Sequence, residues 1–523
     1  MASDLSIQPI EQDQKMTINE AYAAARPAAP HVPQLAQPAR QDMQLDGAAR
    51  RFLLAALTGF VFLRLWAIFA VPFTDTTEAR YAEIARKMVE TGNWLTPQFD
   101  YGVPFWGKPP LHTWLSAGGM QLFGVNEAAA RLPILLTALA VLFLIWHWVR
   151  ETVGRNAALV VTVVLATMAM FFGASAFVMT DMPMVLGTTL VMVGFWQAVS
   201  DADSRWGYAF FLGLAIGMLA KGPVAVVLCG IPLTLCLAVT WNWHLLRLLP
   251  WGRGMALLTV LVVPWYVAAE IATPGFLHYF LIGEHVQRFL TPGWQGDLYG
   301  SGHQEAKGMI WLFWLMAALP WSLVPALLLT RLGKTVTMFR QDRSGLLFYL
   351  LLWAGSPVLL FTPASNILAA YVLPGLPAAA VLLVILFAQV FGAKPSRAAR
   401  TAFAVATSVI FALFLALTSG AIFAPQQIRL KSDKSLVAAA HAALPDAQLY
   451  TLGGRSYSAE FYSRGKSRAI EVEDFESLAV DGAPAAFSVS PDKAAEAAAF
   501  GLENLGEYGR HVLFVTPTAG EVK

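Results

Sequence analysis

The stretch LPILLTALAVLFLIWHWV, residues 132–149, runs between Arg131 and Arg150 without one Asp, Glu, Lys or Arg of its own. As an α-helix it rises about 27 Å, close to the roughly 30 Å hydrocarbon core of a bilayer. Similar apolar blocks recur at 52–72, 156–175, 182–199, 206–220, 223–240, 254–272, 308–330, 345–362, 368–391 and 401–424. Read as spans, they give eleven membrane helices, or as many as thirteen if interrupted blocks divide further. The composition agrees: 57% of residues are hydrophobic and 13% charged, against about 25% charged in a soluble domain. Tryptophans gather at block ends, as at Trp94, Trp106, Trp241, Trp243, Trp251, Trp294 and Trp311, where amphipathic rings settle at the membrane–water interface. A net charge of +2 with no basic stripe argues against a nucleic-acid partner.

Three regions follow. Residues 1–49 are rich in Ala, Pro and Gln and hold no apolar run, which predicts a disordered cytoplasmic tail. Residues 50–424 form the polytopic all-α membrane domain, with long outer loops at 73–131 and 273–307. Residues 425–523 regain charge and alternating patterns, predicting a small α/β domain outside the membrane. Its expected strands are 448–452, 468–472, 485–490 and 511–516, and its expected helices 434–444 and 492–500. Basic residues set the orientation. Arg50, Arg51, Arg150, Arg155, Arg205, Arg247, Arg253, Arg331, Lys334, Arg340, Arg343, Lys394, Arg397 and Arg400 crowd the N-terminal flank and the short alternate loops. The N-terminus is therefore expected in the cytoplasm and the C-terminal domain in the periplasm of a bacterial inner membrane.

Polar clusters lie on the outer side. They are Asp75, Glu78, Arg80, Tyr81 and Glu83; Lys108 and His112; Thr180 and Asp181; Lys221; Glu284, His285 and Arg288; and Ser365, Asn366 and Tyr371. Ionisable groups are costly near hydrocarbon and tend to line sites, so clusters on one side predict one site. Each has a plainer reading. Asp75 and Glu78 would be solvated acids on an interfacial helix, Asp181 a helix cap, Lys108 and Lys221 snorkelling anchors, Tyr371 part of the aromatic belt, and His112 and His285 ordinary loop residues. Cys229 and Cys236 share one apolar helix face and are expected to pack rather than to bind metal.

The motifs FTDTTEARYAEI (73–84), GNWLTP (92–97), GKPPL (107–111), Asp181-Met-Pro, Lys221-Gly-Pro, EHVQRF (284–289) and Pro320-Trp-Ser occur in order. Together they resemble the protein mannosyltransferase and aminoarabinose transferase superfamily. The resemblance implies the GT-C membrane fold, a polyprenyl-phosphate sugar donor and inversion at the anomeric carbon. It implies that Lys108 and Tyr371 meet the carrier phosphate, with Arg80 or Arg288 assisting. Asp75, Glu78 and Asp181 become the candidate catalytic carboxylates, and Glu284, His285, Lys221 and His112 the candidate substrate contacts. The chain departs from the family at Thr77, where relatives carry Asp, at Gly107, where aminoarabinose-type relatives carry Glu, and before Tyr371, where many carry lysine. No cofactor is implied outright, and a divalent metal stays open. The expected function is transfer of a sugar to a lipid A-type glycolipid, or to another envelope acceptor such as a protein. A protein O-mannosyltransferase-like enzyme, a lipid-carrier flippase and a non-catalytic scaffold are the competing readings. A transporter would carry midplane charges and repeated halves, which the sequence lacks.

Overall fold

A computed structural model describes residues 42–201, 204–300, 303–445, 447–480 and 483–517. The predicted tail lies outside the described residues up to position 41. Its end departs from the expectation, because residues 42–46 are packed against the membrane domain. The Asp42 carboxylate accepts from the backbone N–H groups of Asn156 and Ala157 at 3.0 and 2.9 Å, Met43 is buried, and Asp46 caps the first helix.

In chain order the membrane domain contains α1 (Gly47–Ala70), α2 (Thr77–Thr91), a short hairpin of β1 (Gln98–Asp100) and β2 (Val103–Pro104), α3 (Leu111–Phe123), α4 (Glu127–Thr152), α5 (Arg155–Ala166), α6 (Ala169–Ala174), α7 (Asp181–Asp201), α8 (Ser204–Lys221), α9 (Val224–Thr240) and α10 (Trp251–Ala272). A π-helix at Tyr279–Gln287 follows, then α11 (Met309–Ala317), α12 (Val324–Leu329), α13 (Leu332–Gln341), α14 (Leu346–Phe361), α15 (Leu376–Phe391) and α16 (Arg397–Phe423). All eleven predicted blocks are helical. Among the described residues, six helices are long and apolar enough to cross a membrane, and two pairs bent by 114° and 111° raise that to eight. Two of the predicted blocks are interrupted. The block at 156–175 breaks between α5 and α6, and the block at 308–330 breaks between α11 and α12. The two breaks repair each other: the Ala169 N–H donates to the Leu319 carbonyl at 2.9 Å, and the Trp321 Nε1–H donates to Thr167 Oγ1 at 3.0 Å. Irregular backbone at membrane depth survives only where protein groups satisfy it in this way.

Helices α7 and α8 pack closely along their length. A Cβ at Gly187 would stand 2.6 Å from the Gly217 nitrogen, and one at Gly213 would stand 2.6 Å from the Gly187 carbonyl oxygen. Small residues at these positions let the two backbones touch. This hairpin brings the start of α7, Asp181, beside the end of α8, Lys221.

The C-terminal domain holds α17 (Lys434–Ala443), β3 (Gln448–Leu452), α18 (Tyr457–Tyr462), β4 (Ser467–Ile470), α19 (Val472–Val480), β5 (Ala485–Val489), α20 (Ala494–Ala499), β6 (Glu503–Tyr508) and β7 (His511–Val515). The sheet order is β4-β3-β5-β7-β6. β3 pairs parallel with β4 and β5, while β7 pairs antiparallel with β5 and β6. The domain sits on the 73–131 loop. The interfacial helix expected around Glu78 is α2, but it does not leave its charged residues in water: Glu83, Arg86 and Lys87 are buried. Lys87 Nζ lies 3.4 Å from Glu460 of the C-terminal domain.

Candidate functional site

Lys108 precedes the turn that starts α3, and its Nζ donates to Glu284 at 2.7 Å. Glu284 lies on the π-helix, whose wider coil is common at functional sites. Its carboxylate also accepts from Arg288 Nη1 at 3.1 Å and from the Tyr279 hydroxyl at 3.3 Å. Burial works to raise the Glu284 carboxyl, but Lys108 and Arg288 outweigh it and hold it below the usual carboxylate range. Arg288 Nη2 lies 3.4 Å from Asp297, a second carboxylate that the sequence reading did not single out.

Beside this cluster, Lys221 Nζ donates to Asp181 at 2.5 Å and stands 4.5 Å over the Tyr371 ring. Gly222 follows with φ +85°, and a Cβ there would strike Phe280. This left-handed residue lets the chain turn under the π-helix, where His285 Nδ1 faces the Phe280 carbonyl at 2.7 Å. Burial pushes His285 toward its neutral form. Lys108, Lys221, Glu284, His285, Arg288 and Tyr371 thus line one cavity, with Asn366 and with the apolar side chains of Met184, Val224, Leu228, Phe289 and Phe361. Asp181 sits behind Lys221.

Four predicted site residues lie elsewhere. Asp75 turns to the C-terminal domain: it accepts from the Ser458 N–H at 3.1 Å and from the Ser456 hydroxyl at 3.3 Å, and from the Ser458 hydroxyl as well. Burial pushes its carboxyl up to about 6, the Ser458 bonds working against it and Asp433 adding to it. Glu78 is 2% exposed and forms a two-pronged ion pair with Arg131 at 2.8 and 2.7 Å. Arg131 also donates to the Val71 and Pro72 carbonyls, so the pair pins the first loop to α4. Arg80 donates to the Tyr299 carbonyl at 2.7 Å and lies over the Tyr81 and Tyr457 rings. His112 is fully buried, edge-on to Tyr81 at 4.7 Å, and burial lowers its pKa to about 3. Its neutral ring packs the loop. Among the described residues, no group of three or more His, Cys, Asp or Glu side chains is placed to hold a metal ion, and the buried Cys229 and Cys236 are free thiols.

The apolar helices, the cavity at the loops that join them and the domain seated on those loops define a multi-pass membrane protein. Residues 52–280 match the family described as dolichyl-phosphate-mannose-protein mannosyltransferase. The chain is 31% identical over 320 residues to the undecaprenyl phosphate-alpha-4-amino-4-deoxy-L-arabinose arabinosyl transferase of Erwinia tasmaniensis, covering 58% of this chain and 54% of that protein. It is likewise 31% identical over 326 residues to the transferase of the same name from Aeromonas salmonicida, covering 60% and 55%. The chain therefore spans a little over half the length of these curated relatives. In fold it is similar to ArnT from Cupriavidus metallidurans, solved bound to undecaprenyl phosphate, with a TM-score of 0.74 at 20% identity over 90% of this chain and 98% of that one. The superfamily resemblance carried by the ordered motifs is borne out.

Proposed function

We propose that the chain is an inverting glycosyltransferase. It takes a sugar from a polyprenyl-phosphate carrier and passes it to a glycolipid of the lipid A type at the outer face of a bacterial inner membrane. The observation that carries this reading is the cleft. Lys108, Lys221 and Arg288 converge beside Tyr371 on a cavity whose other wall is apolar. The cations suit a phosphate, and the apolar wall suits an isoprenoid chain. The names of the relatives support the same donor class. The crowding of lysine and arginine in the short alternate loops supports a cytoplasmic N-terminus and a periplasmic C-terminal domain.

Lys108 and Arg288 neutralise the charge that gathers on the phosphate as the bond from the anomeric carbon to the phosphate oxygen breaks. The acceptor oxygen attacks from the opposite face, which inverts the centre. A hydroxyl acceptor gives its proton to a carboxylate; an ionised phosphate acceptor has none to give. Asp181 is the carboxylate assigned to this role, because it is paired to Lys221, which lines the cavity, whereas Asp75 and Glu78 are held away from the cavity by Ser458 and Arg131. The products are the glycosylated acceptor and the polyprenyl phosphate.

Binding of undecaprenyl phosphate to the purified protein in detergent tests the donor class. Lys108→Ala is expected to weaken it by about tenfold or more, the usual worth of a hydrogen bond to a charged group. Equal binding by the variant would remove Lys108 from the phosphate site.

A further inference from the structure

Two loops zip together above the cleft. The Gly308 N–H donates to the Thr362 carbonyl at 3.0 Å and the Glu305 N–H to the Ser365 carbonyl at 2.8 Å. The His303 N–H donates to Asn366 Oδ1 at 3.1 Å. The last bond fixes the orientation of the Asn366 amide, since a flipped amide would set N–H against N–H. The Nδ2 end is then committed as a donor. Asn366 is 7% exposed and lines the cavity, yet its Nδ2 is buried and meets no hydrogen-bond partner among the described residues. Arg288, on the same cavity, repeats the pattern. Its Nη1 and Nη2 are held by Glu284 and Asp297, while its Nε is buried without a partner.

The carboxylates of the cleft are in the opposite state. Glu284 receives Lys108, Arg288 and Tyr279, and Asp181 receives Lys221 and Thr180. The unpaired buried groups of this cavity are therefore donors. Buried donors left unpaired are rare in native proteins because each forfeits its solvation without return.

We propose that Asn366 Nδ2, together with Arg288 Nε, binds an acceptor oxygen of the lipid-linked sugar phosphate. Asn366 is then a residue that selects the donor. The oxygen belongs to the phosphate or to a hydroxyl or carboxylate of the sugar; the chemistry is the same. A protonated amino substituent at that point would meet N–H donors head-on and is selected against. The inference rests on the donor class proposed above.

Asn366→Asp tests it. The side chain keeps its shape and its bond from His303, but the free donor becomes an acceptor. The probe is undecaprenyl phosphate, bound to the full-length protein in detergent, alongside mass spectra of envelope glycolipids from cells carrying each variant. A phosphate oxygen predicts that carrier binding falls about tenfold or more. A sugar oxygen predicts unchanged carrier binding with a similar fall in the modified glycolipid. Asn366→Ala, which adds no charge but also loses the His303 bond, must show the same loss, and both variants must keep the thermal midpoint of the wild type, so that instability cannot mimic the result. Wild-type levels of both binding and modification in both variants would overturn the inference. A wild-type protein that fails to bind undecaprenyl phosphate would instead overturn the donor reading itself.

Discussion

At the scale of single residues, the acids of the first loop separate by their partners. Glu78 has the burial and the pairing of a structural ion pair. Removing one partner of such a pair strands the other charge, at a cost of about 3–5 kcal/mol. Glu78→Gln is therefore expected to lower the thermal midpoint of the purified protein sharply. A variant that melts like the wild type but transfers no sugar would instead make Glu78 a catalytic group. Asp181 is buried against Lys221, so Asp181→Asn should also cost stability. Its catalytic part shows as a loss of turnover that persists in protein still folded at the assay temperature, which Glu78→Gln should not show. Lys108, Lys221, Glu284, His285, Arg288 and Tyr371 were all legible as polar positions on one side of the membrane. Their convergence in one cavity agrees with that reading. Asp75 and Glu78 were not separable from them in sequence, because their partners, Ser456, Ser458 and Arg131, lie far along the chain. Asn366 and Asp297 carried a weaker signal still. An amide or an acid in a loop gains meaning only from the backbone N–H or guanidinium that it meets.

Elements explain where the site stands. The α7–α8 hairpin sets Asp181 against Lys221, and Gly187 with Gly213 and Gly217 allows the approach. Gly187→Val should push the helices apart at a cost of about 1–3 kcal/mol and lower carrier binding through the displaced Lys221. Unchanged binding would mean that Lys221 is placed by other contacts. The apolar blocks marked where helices form, because hydrophobic length is a local signal, but among the described residues six to eight of the helices, not eleven, are long and apolar enough to cross a membrane. The breaks between α5 and α6 and between α11 and α12 were invisible, because the groups that repair them come from each other's segment. In the C-terminal domain the buried strands β3, β5 and β7 read clearly from their apolar runs. The edge strand β6, ENLGEY, did not: it is largely exposed and polar, and its pairing depends on β7.

For the whole molecule, the seam between the first loop and the C-terminal domain carries two groups whose titration bears on its pH dependence. Asp75 faces Ser456, Ser458 and Asp433, and His511 Nδ1 lies 2.8 Å from Asp433. The Asp75 carboxyl is raised from 3.8 to about 6, burial being the main cause. Its stabilising share is thus complete below about pH 4 and is lost as pH rises through about 6. His511 is raised from 6.5 by its bond to Asp433, and its share is likewise lost as pH rises through that raised value. Both groups predict a tighter seam at pH 5.5 than at pH 8. Hydrogen exchange of residues 456–462, corrected for intrinsic rates, should show stronger protection at the lower pH, and Asp75→Asn should flatten the difference. Protection that rises with pH would refute this. The central claim, transfer of a lipid-linked sugar, is tested most directly by mass spectra of envelope glycolipids from cells with the protein, without it, and with Lys108→Ala. The account predicts a mass difference of one glycosyl unit that needs the protein and is lost in the variant. Glycolipids and glycoproteins that are identical in all three strains would contradict it.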